Sequence, residues 1–72
     1  MYEYLVYLMK NGQYVECVRC NSQDEADIII DTEQKEGNYE KYLLIIRDKI
    51  LNQPVGMETD YFSVLTHNRK GR

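Results

Sequence analysis

The stretch Lys10-Asn11-Gly12-Gln13 constrains this chain more than any other. It sits between Tyr2-Glu3-Tyr4-Leu5-Val6-Tyr7-Leu8-Met9 and Tyr14-Val15-Glu16-Cys17-Val18-Arg19-Cys20. Asn-Gly tolerates positive φ at both central positions of a type I′ turn, whose twist matches that of the strands it joins. The flanks are rich in Tyr, Val and Leu, which suit a pleated, half-buried surface. A β-hairpin follows.

A two-residue loop at Asn11-Gly12 predicts the pairs Met9–Tyr14, Leu8–Val15, Tyr7–Glu16, Val6–Cys17, Leu5–Val18 and Tyr4–Arg19. Opposed residues share a face and neighbours alternate. One face then carries Val6, Leu8, Val15 and Cys17. The other carries Leu5, Tyr7, Met9, Tyr14, Val18 and Cys20, with Glu3 and Glu16. Both are substantially apolar, whereas a sheet with one wet face has polar residues on it. The second face is therefore expected to be covered, and Leu5, Tyr7, Met9, Tyr14 and Val18 are its candidate interface.

Next, Ser22-Gln23-Asp24-Glu25 has the spacing of a capping box, and acids in a first turn complement the helix dipole. The spacing predicts a helix to Glu36, ended by a left-handed Gly37. Ala26, Ile29 and Ile30 form its inner stripe. Asp24, Asp27 and Asp31 lie opposite with Ile28 among them, an acidic surface with one apolar residue that suits a basic partner.

Tyr42-Leu43-Leu44-Ile45-Ile46 matches both a helix and a strand buried on two faces. A helix would leave Leu44 and Ile45 off its stripe, and no N-cap signal precedes it, so a strand is expected. Arg47-Asp48-Lys49 would turn the chain into a short edge strand at residues 50–53, with Pro54 at its end because proline cannot donate to a ladder. Residues 1–56 are then the domain. Residues 57–72 are an extension with a strand-like Tyr61–Thr66 segment that is packed on the sheet or swapped between copies. The expected fold is α+β: a small antiparallel sheet with one helix on one face, in ββαβ(β) order.

Composition limits function. Seventy-two residues make one small domain, close to the size at which one core suffices. The longest apolar run is too short to span a bilayer, and two cysteines make no disulfide framework, so reduced thiols in the cytoplasm are expected. Residues 1–66 hold six basic against twelve acidic residues, while residues 67–72 add three basic ones. An acidic body disfavours wrapping by duplex nucleic acid.

No constellation for catalysis is present. Cys17-Val18-Arg19-Cys20 matches C-x-x-C, but both cysteines precede the helix and the register sends them to opposite faces. With two Cys and one His, a four-ligand zinc site would need a carboxylate or a second subunit, so a thiol or zinc role at Cys17 and Cys20 is the least favoured alternative. His67 stands in the last six residues, and the four glycines form no phosphate loop. No metal, cofactor or enzymatic activity is expected. The expected function is that of a small acidic protein-binding module, an adaptor or inhibitor of the accessory kind. It would form a homodimer or dock a protein partner through a sheet face or the acidic helix. The alternative is nucleic-acid binding by the tyrosine face with Arg69, Lys70 and Arg72, against which that face offers Glu3 and Glu16 in place of cations.

Overall fold

The computed structural model describes residues 1–62. Two strands, β1 (Tyr2–Lys10) and β2 (Gln13–Cys20), lead into helix α1 (Gln23–Glu36), followed by β3 (Lys41–Asp48) and β4 (Gln53–Tyr61). The sheet is antiparallel throughout, in the order β2-β1-β3-β4. The expected α+β fold, one helix with an antiparallel sheet in ββαβ(β) order, is the observed one. β2 and β3 are parallel to each other on either side of β1, so α1 is the crossover between them and packs on β1 and β2.

Local chemistry sets the ends of these elements. Asn11 and Gly12 take φ of 55° and 79°, the two left-handed residues that a type I′ turn requires. Ser22 caps α1, its Oγ accepting from the backbone N–H of Glu25 at 3.2 Å. Glu25 reaches back one residue further than in a standard capping box, accepting from the N–H of Asn21 at 2.7 Å. Gly37, at φ 71°, closes the helix by donating to the Glu33 carbonyl at 3.0 Å.

The core lies between α1 and one sheet face. Val6, Leu8, Cys20, Ala26, Leu44 and Phe62 are buried, with Tyr4, Val18, Ile29, Ile30, Tyr42 and Ile46 packed around them. The predicted inner stripe of α1 is thus the observed one.

The hairpin register is not. Met9 stands opposite Tyr14 as expected, but Leu8 stands opposite Glu16, leaving Val15 as an extra residue in β2. From there every pair is offset by one: Tyr7 faces Cys17, Val6 faces Val18, Leu5 faces Arg19 and Tyr4 faces Cys20. A one-residue offset turns a whole strand over. Val18 and Cys20 therefore join the core, while Cys17 and Arg19 move to the far face. Val15 is exposed instead of buried. The cysteines do point to opposite faces, but in the reverse sense.

The second half of the chain also differs in detail. β3 is the predicted strand, but residues 49–52 form a turn in place of the expected short edge strand. The Asp48 carboxylate accepts from the N–H of Ile50 at 2.8 Å and of Leu51 at 3.0 Å, and Asn52 adopts φ 59°. These side-chain and left-handed turn features outweigh the strand propensity of Ile50 and Leu51, which stay exposed. β4 is the edge strand and admits Pro54; it too is bulged, with Val55 unpaired between Gly56 and Pro54. The expected domain boundary at residue 56 falls inside β4, so the sheet continues through residues 57–61. Of the expected Tyr61–Thr66 strand, Tyr61 ends β4, and residues 63–66 lie outside the described residues.

Candidate functional site

α1 covers one face of the sheet, and among the described residues no element packs on the other. The ladder places Leu5 opposite Ile45 and Tyr7 opposite Leu43, four partly buried apolar side chains on the two central strands. Toward the hairpin end, Met9 pairs with Tyr14, whose ring meets that of Tyr7 edge-on at 6.3 Å. On the β4 side, Met57 stands opposite Ile45 and is 68% exposed.

Cations frame this patch. Lys41 Nζ lies 5.2 Å above the Tyr61 ring, within cation–π range. At the other end Glu3, only 4% exposed, stands opposite Arg47 and accepts from its Nε at 2.7 Å and also from its Nη2. Arg19 Nε approaches the second Glu3 oxygen at 3.5 Å. The hydrogen bond from Arg47 holds the Glu3 carboxyl below its usual pKa despite burial. Among the described residues, Arg19, Arg47 and Lys41 thus outnumber the one neutralised carboxylate on this face.

The acids collect on the helix side. Glu16 accepts from the Tyr39 hydroxyl at 2.6 Å, and Glu58 accepts from the Tyr42 hydroxyl at 2.8 Å. Both phenols are pushed up to about 12, Tyr39 chiefly by its bond to Glu16 and Tyr42 first by burial. Neighbouring carboxylates add to each shift.

The sequence-predicted residues separate accordingly. Leu5, Tyr7, Met9 and Tyr14 do come together on the open face. Val18 does not belong with them, because the bulge turns it against Val6 under α1. Asp24, Asp27, Ile28 and Asp31 are all exposed on α1, with Asp31 paired to Lys35 at 3.1 Å and Asp27 accepting from Gln23 at 3.1 Å. Arg69, Lys70 and Arg72, and with them His67, lie outside the described residues.

No family model, curated protein or solved structure matches the chain.

Arg19, Lys41, Leu43, Ile45 and Arg47 also belong to this surface, beyond the interface residues expected from the sequence. Alternation along β3 puts Lys41, Leu43, Ile45 and Arg47 on one side, and this much was available from the strand alone. Arg19 was hidden by the bulge. Among the described residues no cluster of His, Cys, Asp and Glu could hold a metal ion, and no helix is long and apolar enough to cross a membrane. Cys17 is exposed beside Tyr7 and raises its phenol pKa, while burial raises the Cys20 thiol.

Proposed function

We propose that this chain is a non-catalytic protein-binding module that pairs with a second copy of itself through the open sheet face. The carrying observation is the cluster of Leu5, Tyr7, Leu43 and Ile45 on the two central strands, on the side away from α1. Four strands make a face about 19 Å wide and roughly 25 Å long. That is about 500 Å² in projection, and side-chain relief brings it toward the ~800 Å² each partner contributes to a standard interface.

The chemistry of the face is self-complementary. Arg19 and Tyr14 occupy opposite ends of β2 on this side. A two-fold axis lying in the face and running across the strands sets Arg19 over the partner's Tyr14, and the reverse, as an isologous interface requires. An adaptor or inhibitor role in the cytoplasm, with both thiols reduced, completes the proposal.

Sedimentation velocity tests it. The dimer has twice the 8.6 kDa chain mass. Ile45→Asp is expected to yield a monomer with an unchanged far-UV spectrum. A wild-type protein that stays monomeric near 100 μM, a concentration at which a micromolar dimer is mostly assembled, overturns it.

One observation favours a second reading. The true register removes Glu16 from the tyrosine face and adds Arg19, so Tyr7, Tyr14 and Tyr61 stand among three cations. Aromatics interleaved with cations are the platform on which unpaired bases stack. This reading requires salt-sensitive binding of single-stranded oligonucleotides that weakens on Tyr7→Ala and on removal of residues 67–72. Absence of binding at low salt eliminates it.

A further inference from the structure

The groove between α1 and the outer edge of β2 is a second, separate site. We infer that it docks an extended segment of a partner protein, in which an aliphatic side chain is flanked by basic residues. The groove holds a cavity of about 270 Å³, lined by Val18, Cys20, Ile28 and Ile29, with Glu25 and Arg19 at its margins. Sites for whole small molecules span roughly 300–1,000 Å³, so this one suits a single anchoring side chain. Ile28 belongs to the solvated side of α1 by periodicity and is 63% exposed, yet it forms one wall.

The strand wall supplies the rest of the recognition. β2 is an edge strand, and among the described residues nothing pairs with its outer side. An added strand would gain main-chain hydrogen bonds there and send alternate side chains toward the groove. The bulge at Val15 lies at the hairpin end, leaving the Val18–Cys20 end regular. The other edge, β4, is obstructed by Pro54 and its bulge.

Charge selects the partner. Asp24 and Glu25 stand in the first turn of α1 and Asp31 farther along it, all exposed. Arg19, the one cation lining the groove among the described residues, reaches toward Glu3 on the opposite face of the sheet. Basic residues beside the aliphatic anchor therefore meet the acidic helix wall.

The test is a titration of the isotope-labelled full chain with an acetylated, amidated hexapeptide of alternating leucine and lysine, followed by amide chemical shifts. Saturable shifts clustering at Val18, Cys20, Ile28 and Ile29 support the site. Exchanging the leucines for serine, or the lysines for glutamate, should each weaken binding about tenfold or more, as loss of an interface anchor does. Ile28→Asp should do the same with its circular dichroism unchanged, while Ile50→Asp, at an exposed position in the turn of residues 49–52, should bind as the wild type does. Shifts centred on Leu43 and Ile45, failure to saturate, or unaltered binding by Ile28→Asp would each overturn it.

Discussion

Glu3 stands opposite Arg47 across the β1–β3 ladder, and its nearly buried carboxylate accepts two hydrogen bonds from that guanidinium. It is a charged clasp beside an apolar patch, on the face that α1 leaves open. A buried carboxylate lacking its partner carries a large desolvation cost, so the pair holds β1 and β3 in one register.

This clasp predicts acid sensitivity. The folded Glu3 carboxyl titrates below its ordinary 4.5, so its contribution is fully present above about that pH and is lost as pH falls through the folded value. Asp48, lowered by the backbone N–H groups of Leu51 and Ile50, acts in the same direction near its own ordinary 3.8. Thermal melts between pH 6 and pH 3 should show a falling midpoint, and Glu3→Gln should start lower and fall less steeply. A variant with the same slope as wild type would show that Glu3 is not a source of the effect.

Glu33 predicts the opposite sign. Burial, reinforced by Glu36 and Glu16, raises its carboxyl above 4.5, so the folded state prefers the protonated form. Its favourable contribution is present below the unfolded pKa and disappears as pH rises through the raised one. Glu33→Gln should therefore melt higher than wild type at pH 7 and lose that advantage near pH 4.

The bulge makes a sharp prediction about deletions. Removing Val15 takes out the unpaired residue and preserves Leu8–Glu16 and every pair beyond it. Removing Val18 instead brings Arg19 opposite Val6, under the helix. The first variant should keep a cooperative melt. The second should lose it, because it buries an unpaired guanidinium. Paired melts of the two proteins decide the matter.

The ends of α1 can be tested separately. Ser22→Ala removes the cap on the Glu25 N–H and should cost about 1 kcal/mol in urea denaturation. Gly37→Ala places a Cβ at φ 71° and should cost a similar amount, roughly 1 kcal/mol. Wild-type stability in either variant would mean that packing against β1 and β2 alone holds the helix.

The two cysteines should differ in reactivity. Cys17 is exposed, whereas Cys20 is buried and its thiol raised by desolvation. Ellman's reagent should modify one thiol per chain rapidly at pH 8, and Cys17→Ser should abolish that fast phase. Dimerisation through the open face should slow it in proportion to the dimer fraction.

What could be read from the chain was local. Asn11-Gly12 specified its turn because positive φ is a property of those two residue types. Ser22 and Gly37 delimited α1 because caps are satisfied within three or four residues. Ala26, Ile29 and Ile30 identified its inner side by periodicity alone, and the β3 run chose strand over helix because a helix would have stranded Leu44 and Ile45.

What the tertiary structure decided was which side of each strand meets the helix. Two-residue alternation is unchanged by a one-residue offset, so the hairpin pattern fits either register nearly as well. The offset is selected by packing: Val18 and Cys20 fill the layer beneath Ile29 and Ile30, and Glu16 reaches the Tyr39 hydroxyl. That choice sends Arg19 to the open face beside Glu3, and with it the charge of the surface on which the proposed function rests. It depends on residues far apart in the chain, and no local pattern encodes it.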